Sequence, residues 1–301
     1  MDKSLRPSVF KRLLALAIDF ILLGILGYLS GFFLESFYVA LGQYGTLFGS
    51  AIVISYFAIC QSRNGQTIGK RFMGIKVTDP QGEYLTLGSS FLRAFILFFP
   101  VMNVEMISSM GNGMLILAML LTLTILISIY FTLVNNSRRS LHDILASSIV
   151  TFSEVSEFEL REQNDRTTKK IMPIAVISIL LLSMGVYQRL AQNTIAQMLS
   201  VKEIIEQKDG VLTVNGINSN TTTVSHLGED SRTYTSISLK VRIDKKSEAS
   251  NTESSYFEEF YEIIQNELPE SRNVDLVSIT LFYGYDIGIA SKTQSVTKTF
   301  E

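Results

Sequence analysis

A single carboxylate lies inside the first apolar segment of this chain. The run from Leu13 to Leu34 is long enough to cross a bilayer as a helix, and Asp19 is its one charged residue. A carboxylate at membrane depth costs about 3 kcal/mol on insertion scales, and such groups usually have a partner or a function. We therefore expect an integral membrane protein whose function is centred on Asp19.

The composition divides the chain near residue 190. Hydrophobic residues make up 47% of the whole. The part before residue 190 is apolar and carries more basic than acidic residues, whereas the part after it is polar and acidic, with many Ser and Thr residues. This contrast predicts a membrane part followed by a water-soluble domain.

Five apolar segments are candidates for membrane spans. The third is interrupted by Arg93, Pro100 and Glu105, so spanning, re-entrant and interfacial placements all stay open for it. The segments cover residues 13–34, 44–60, 91–107, 114–134 and 171–190.

Loop charges favour one orientation of these segments. Basic residues cluster at the N-terminus, between the second and third segments and between the fourth and fifth, whereas the 35–43 loop carries only Glu35. Because Lys and Arg accumulate in cytoplasmic loops, all three clusters are predicted to face the cytoplasm. Five spans would then place the N-terminus in the cytoplasm and residues 191–301 outside it.

These patterns predict an α-helical integral membrane protein of about five spans with a soluble C-terminal α+β domain. In that domain we expect a helix to about Gln207, an acidic amphipathic helix over 253–268, and strands at 211–216, 221–226, 234–243, 274–285 and 287–300. The predicted divisions are a membrane domain at 1–152, a charged cytoplasmic linker at 153–170, the fifth span at 171–190 and the C-terminal domain at 191–301.

The loop after the second segment contains glycines, basic residues and a predicted hairpin. Residues 72–87 read as strand, turn at 79–82, and strand. Gly65 and Gly69 are expected to permit a tight return of the chain, and Lys70 and Arg71 to contact lipid phosphates. The spacing is one residue short of a P-loop, and Arg71 stands where Ser or Thr would hold Mg²⁺, so nucleotide hydrolysis is not predicted.

Small residues four apart indicate close helix packing in the first two segments. Gly27 and Gly31 lie in the first, and Gly45 and Gly49 in the second. Glycines at this spacing let helix backbones approach each other, and the short loop between the segments favours an antiparallel pair. The alternative is that glycine is simply common in membrane helices.

Three charged residues are candidates for one network. Arg12 and Asp19 are two helical turns apart on one helix face, and the predicted orientation places Asp143 on the same side of the membrane as Arg12. Arg12 could therefore pair with Asp143, and Asp19 could share the network. Two interpretations stay open: a structural ion pair that fixes helix packing, and a proton or cation relay.

The same residues resemble the RDD family of membrane proteins. Arg12 with Asp19, the segment Gly65–Asp79 and the segment Ser140–Asp143 occur in that family's order, and the resemblance covers about residues 6–152. The family is named for one Arg and two Asp, which correspond here to Arg12, Asp19 and Asp143. The resemblance implies a multi-span bacterial inner-membrane protein, with transport, including cation/proton exchange, as its usual suggested activity.

Two functional hypotheses follow. The first is a membrane transporter or cation/proton exchanger in which Asp19 binds a proton or cation while Arg12 and Asp143 tune it. The second is a non-catalytic scaffold or sensor whose C-terminal domain binds a partner or ligand. The expected partners are the lipid bilayer and an ion or small-molecule substrate; a second copy of the chain is a further candidate, and nucleic acid is not expected.

Chemistry based on metals, cofactors or a catalytic nucleophile is not predicted. The chain has one cysteine, Cys60, and two histidines, His142 and His226, that are far apart in sequence. These numbers exclude a disulfide within the chain and a zinc site built from cysteines or from several histidines. We expect no enzymatic activity, no cofactor and no metal site.

Overall fold

The structure is a computed structural model that describes residues 6–109, 112–134, 139–154, 193–224 and 232–301. The described chain divides into two compact units. The first contains most of residues 6–154 and the second most of residues 193–301. The predicted fifth span at 171–190 and nearly all of the predicted linker lie outside the described residues.

Among the described residues, six helices and one strand pair lie wholly or mostly in the first unit. Helix α1 kinks at Leu34, where φ is −115° and ψ is 16°, so the chain departs from regular helix at the predicted end of the first span. The elements are α1 (Val9–Ala40), α2 (Gly45–Asn64), α3 (Ile68–Phe72), β1 (Ile75–Thr78), α4 (Leu87–Ser109), α5 (Asn112–Val134), α6 (Leu141–Leu145) and β2 (Ile149–Phe152). The end of α1 and a 3-10 turn at Gly42–Tyr44 are grouped with the second unit.

Three of these helical stretches are long and apolar enough to cross a membrane: Val9–Ala40, Gly42–Asn64 and Leu87–Ile107. A shorter apolar stretch, Leu117–Ser128, lies in α5 at the position of the fourth predicted span. The third predicted segment is one continuous helix that includes Pro100. Its length therefore fits a crossing of the membrane.

The predicted hairpin at 72–87 is wrong. Strand β1 pairs antiparallel with β2, and Ile75 lies opposite Phe152. The turn itself is present: Asp79 accepts hydrogen bonds from the backbone of Gln81 and Glu83, and Gly82 has φ of 93°. Residues 83–86 are not a strand. The core residues Ile75, Val77 and Val150 are buried together, so pairing with a distant apolar strand replaces the local pairing.

Among the described residues, the second unit is a four-stranded sheet packed against two helices. The elements are α7 (Asn193–Glu206), β3 (Val211–Val224), β4 (Arg232–Ile243), α8 (Ser255–Glu267), β5 (Leu276–Asp286) and β6 (Ser291–Phe300), with 3-10 turns at Glu248–Ser250 and Pro269–Asn273. The strand order is β3-β4-β5-β6, with β4 and β5 parallel and the other pairs antiparallel. Such a parallel pair needs a crossover connection, which here contains α8.

The core of this second unit contains apolar residues at helical spacing in α8 and at alternate positions in β4. Helix α8 buries Phe257, Phe260 and Ile264, which recur at helical spacing. Strand β4 alternates, so its buried side chains Leu239 and Val241 point to the same face. The two strands predicted at 211–216 and 221–226 form the single strand β3. The unit is α+β, as expected.

Candidate functional site

The Asp143 carboxylate is held by two guanidinium groups and the start of α6. Arg93 donates from Nε and Nη2 to Asp143 Oδ1 at 2.9 and 2.7 Å. Arg12 Nη1 lies 3.6 Å from Oδ2, so the pairing predicted from the sequence is present. Ser140 donates to Oδ2 from its backbone nitrogen and its hydroxyl, at 3.2 and 2.9 Å. Asp143 is buried, and this arrangement is a charge-assisted network.

Burial and charge act in opposite directions on Asp143. Burial alone would raise the pKa of its carboxyl group, but Arg93 above all, and Arg12, hold that pKa well below its usual range. Asp143 is therefore ionised at neutral pH. The neighbouring His142 is buried, and burial lowers its pKa to about 3, so its imidazole is neutral at the same pH.

Asp19 is held differently, by neutral donors. Gly69 donates its backbone N–H to Oδ1 at 2.7 Å, Tyr56 donates its hydroxyl to Oδ1 at 2.8 Å, and Thr67 donates to Oδ2 at 2.5 Å. Asp19 is completely buried. These three hydrogen bonds use both carboxylate oxygens, so Asp19 connects α1 to α2 and to the start of α3.

The contact between Asp19 and α3 requires glycine at position 69. A Cβ atom there would lie 2.0 Å from the backbone oxygen of Ala15 and 3.0 Å from the carboxyl carbon of Asp19. Gly65, four residues earlier, has φ of 70°, a conformation that side chains disfavour. Both glycines of the predicted loop thus allow a close return of the chain against α1 and β1.

Lys70 and Arg71 face different surroundings although they are adjacent. Arg71 is exposed. The Lys70 side chain is buried, and its Nζ lies 5.3 Å from the centre of the Phe57 ring. Within the described part of the chain, this ammonium forms no hydrogen bond and has no carboxylate within 4 Å. Contact with lipid phosphates stays a prediction for Arg71.

These groups surround a cavity of about 570 Å³ in the first unit. Five charged residues line it, which we call the base: Arg12, Asp19, Lys70, Arg93 and Asp143. The rest of the lining is mostly apolar. The apolar wall residues include Leu13, Leu16, Leu97, Val101 and Ile125. Among the described residues, no group of three or more His, Cys, Asp or Glu side chains is placed to hold a metal ion.

Arg93 is the main residue that the sequence reasoning did not assign to the site. The sequence signal was present, because Arg93 interrupts an apolar segment, but it was read only as an obstacle to spanning. In the structure Arg93 also donates from Nη1 to Gln61 Oε1 at 2.7 Å, so it joins α4 to α2 as well as to α6. Tyr56, Thr67 and Gln61 were also missed, since nothing in their spacing indicates a shared partner.

The four glycines predicted to pack helices lie in the first two helices. Gly27 and Gly31 are in α1, and Gly45 and Gly49 are in the first turns of α2. A tight antiparallel contact between these helices stays a prediction.

Comparison with known families identifies the first unit. The match covers residues 6–147 and is to the RDD family. These residues form an RDD family domain. The resemblance predicted from Arg12, Asp19 and Asp143 is thereby confirmed, and the RDD domain with its apolar helices indicates a membrane protein. No curated protein and no solved structure matches the chain.

Within the RDD domain, the three residues expected from the resemblance form two centres. Arg12 and Asp143 share one centre with Arg93, and Asp19 occupies the other with Gly69, Thr67 and Tyr56. Both centres border the same cavity. The RDD domain therefore places its paired charges around a space that is large enough for a small molecule.

Proposed function

We propose that this protein is a bacterial inner-membrane transporter whose solute enters the cavity of the RDD domain and moves with a proton. The observation that supports the proposal is the cavity itself, which is lined by buried ionisable groups together with mostly apolar residues. Ionisable groups within membrane helices commonly mark transport paths and proton relays. Perturbed titration is a further property of functional sites.

The contacts of the two carboxylates favour a negatively charged solute over an alkali cation. Asp19 accepts three hydrogen bonds, and Asp143 is paired with Arg93 and Arg12. A bound cation would have to displace these donors. Lys70, in contrast, is a buried cation that borders the cavity without a carboxylate within 4 Å among the described residues.

Lys70 is the proposed proton carrier. Burial lowers its pKa to about 7, Arg93 and Arg12 lower it as well, and Asp19 and Asp143 oppose the shift. A group that titrates near the working pH can take up and release a proton during a transport cycle. Asp19, Asp143 and Arg12 then set the field in which Lys70 titrates.

Proton movement in reconstituted vesicles tests the proposal. The protein is placed in phosphatidylcholine vesicles that contain a pH-sensitive dye, and LiCl, NaCl, KCl, sodium methanesulfonate or sodium decanesulfonate is added outside. We expect a protein-dependent pH change with decanesulfonate that Lys70→Gln abolishes. A response to the alkali chlorides alone would support cation exchange instead, and no response to any salt would refute transport of these solutes.

Asp19→Asn tests the role that the sequence suggested for this carboxylate. If Asp19 itself carried the proton or cation, the variant would lose all solute-dependent proton movement. We expect reduced but measurable movement, because the geometry gives Asp19 a supporting role. Size-exclusion elution and the thermal midpoint would verify that the variant is folded.

The proposed orientation has a cytoplasmic N-terminus and an extracytoplasmic C-terminal domain. The argument is the distribution of basic residues among the predicted loops. Protease treatment of intact cells and of inverted vesicles would test it. Digestion of residues 193–301 in the inverted vesicles only would show that the orientation is opposite to the proposed one.

A second candidate is a scaffold or sensor. The C-terminal unit has a continuous core of its own, which includes Leu239, Phe257, Phe260 and Ile279, and transport does not obviously require it. Pull-down with residues 193–301 from cell-envelope extracts, beside the flux assay on the full chain, separates the two candidates. A folded domain that captures nothing, next to a full chain that transports, would favour the transporter.

A further inference from the structure

The lining of the RDD-domain cavity is amphipathic, because it combines the five charged residues of the base with apolar residues, which we call the wall. The wall includes Leu13, Leu16, Leu97, Val101 and Ile125. The volume of about 570 Å³ lies in the range of small-molecule sites, which combine apolar walls with a few polar groups that fix orientation. A ligand that matches this cavity has a hydrocarbon body and one polar end.

The charges at the base are not balanced. Arg12, Lys70 and Arg93 face Asp19 and Asp143, and His142 is neutral because burial lowers its pKa. With Lys70 protonated, the base therefore carries one more positive than negative charge. A buried charge without a counterion is expensive, so a ligand with a single negative charge would relieve it.

Lys70 is the basic group at this site that has no carboxylate within 4 Å among the described residues. The residue is only 9% exposed and borders the cavity. Arg93 donates to Asp143 and Gln61, and Asp19 accepts three hydrogen bonds. The Lys70 ammonium, in contrast, makes no hydrogen bond to the described residues and lies 5.3 Å from the centre of the Phe57 ring. An anion in the cavity would supply the missing partner.

We infer that the cavity binds an amphipathic organic anion, with its single negatively charged head group on Lys70 and its hydrocarbon chain along the apolar wall. This names the substrate class of the proposed transporter and rests on that proposal. A carboxylate, sulfonate or monoanionic phosphate head group shares the required chemistry, and the hydrocarbon chain separates such a ligand from an inorganic anion.

Binding is expected to weaken as Lys70 loses its proton. In the part of the chain that the structure describes, the charged or titratable groups that interact with Lys70 are Arg12 and Asp19 from α1, Cys60 from α2, Arg93 from α4, and His142 and Asp143 from α6. Because the pKa of Lys70 is about 7, the cavity attracts an anion more strongly below neutral pH than above it. An alkylsulfonate stays ionised throughout this range, so the lysine would determine the change.

Equilibrium binding of tritiated decanesulfonate to the full chain tests the inference. The protein is placed in phosphatidylcholine nanodiscs, and uptake by empty nanodiscs is subtracted. We expect Lys70→Gln to weaken binding at least about tenfold, since a charge-assisted contact is lost. Lys70→Arg should restore most of the affinity. Arg63→Gln, which removes an exposed positive charge at the end of α2, should leave binding unchanged.

Competition with unlabelled compounds tests separately the contributions of the head group and of the hydrocarbon chain to binding. Unlabelled decanesulfonate should compete fully, whereas methanesulfonate lacks the chain, decanol lacks the charge and decyltrimethylammonium carries the opposite charge, so all three should compete poorly. Equal competition by decanol would show that the charged head group does not contribute to binding. Equal competition by methanesulfonate would show that contact of the hydrocarbon chain with the wall does not contribute. Equal loss in Lys70→Gln and Arg63→Gln would also overturn the inference.

The wild-type protein provides a test that needs no variant. Its affinity for decanesulfonate should fall between about pH 6 and about pH 8.5, and the fall should be absent in Lys70→Arg, which stays charged. A flat wild-type profile would contradict the assignment of Lys70. This measurement decides the question even if Lys70→Gln does not fold.

The binding experiment and the vesicle assay for proton movement test different proposals. Binding as described without proton movement in vesicles would retain the site and reject the transporter. Proton movement with an alkali chloride, but no binding of decanesulfonate, would retain a transporter and reject this substrate class.

Discussion

The RDD domain contains two buried carboxylates that are stabilised in opposite ways. Asp19 accepts hydrogen bonds from neutral groups, one of them the backbone N–H of Gly69. Asp143 is paired with the guanidinium groups of Arg93 and Arg12. Both side chains are almost completely inaccessible to water. The comparison shows that one domain can bury negative charge either with dipoles or with countercharge.

The two carboxylates differ in which buried groups would remain unpaired if the charge or its partner were removed. Removal of the Asp19 charge leaves neutral donors, two of which are the hydroxyls of Tyr56 and Thr67 that can rotate towards other acceptors. Removal of a partner from Asp143 leaves an ion without full compensation in a place from which water is excluded. Asp143 and Arg93 should therefore contribute more to stability, whereas Asp19 fixes the position of α3 and with it Lys70.

The largest effect is expected from Arg93→Met. The variant keeps an unbranched, mostly apolar side chain but removes the guanidinium group. Among the described residues, Arg12 at 3.6 Å is then the remaining guanidinium paired with the Asp143 carboxylate. The free energy of unfolding should fall by about 3–5 kcal/mol. Denaturant unfolding in detergent measures this free energy, and the control is Arg63→Met, which changes an exposed arginine. A loss no greater than that of the control would show that the pair does not stabilise the domain.

Asp19→Asn should cost less, and this difference is the sharpest test of the comparison. The variant keeps one acceptor oxygen, and the Thr67 hydroxyl can rotate to accept from the new amide. We expect a loss of about 1–3 kcal/mol, the range for hydrogen bonds to a charged group. The same unfolding measurement applies. A loss equal to that of Arg93→Met would reject the distinction between the two centres.

Gly69→Ala tests the close approach that brings the backbone donor to Asp19. The added methyl group would lie 2.0 Å from the backbone oxygen of Ala15, so α3 must move. We expect a loss of about 1–3 kcal/mol from overpacking. Gly88→Ala in α4 is the matched control, because nothing lies within 4 Å of its added Cβ. Equal thermal midpoints for the two variants would contradict the predicted crowding.

The smallest expected effect is a dependence of stability on pH that comes from Lys70. Its pKa is about 7 in the folded protein and 10.5 ordinarily. Between these values the unfolded chain binds the proton and the folded protein does not, so folding becomes more favourable as the pH rises. The gain between about pH 7 and about pH 8 should reach about 1 kcal/mol. Lys70→Met should lack this part of the gain, and an identical pH profile in both proteins would exclude Lys70 as its source.

The sequence predicted the residues of the site better than their partners. Asp19 stood out because a charge inside an apolar segment is costly, and Arg93 carried the same signal without being used. The partners could not be predicted, because Arg93 and Asp143 are 50 residues apart and their contact depends on how α4 packs beside α6. Spacing along one helix reports which residues share a face, and it does not report which other helix meets that face.

Local pattern was reliable in the C-terminal unit and misleading near the membrane loop. The strand predicted at 234–243 is confirmed as β4, in which Ile237, Leu239 and Val241 are buried at alternate positions. The prediction left a gap between strands at 211–216 and 221–226, but pairing with β4 keeps β3 continuous through two irregularities in its register. At 72–87 the turn was correct and the pairing was wrong, since a distant strand offered a better buried partner than the neighbouring residues.

The pairing of β1 with β2 also determines when the RDD domain can be completed during synthesis. Strand β1 leaves the ribosome well before β2, and α4 and α5 lie between them in the sequence. Ile75 and Val77 therefore have no paired strand until residues 149–152 have been synthesised. A ribosome that stalls between α5 and β2 would leave an inserted but unfinished domain, with an open strand edge that quality-control proteases could recognise.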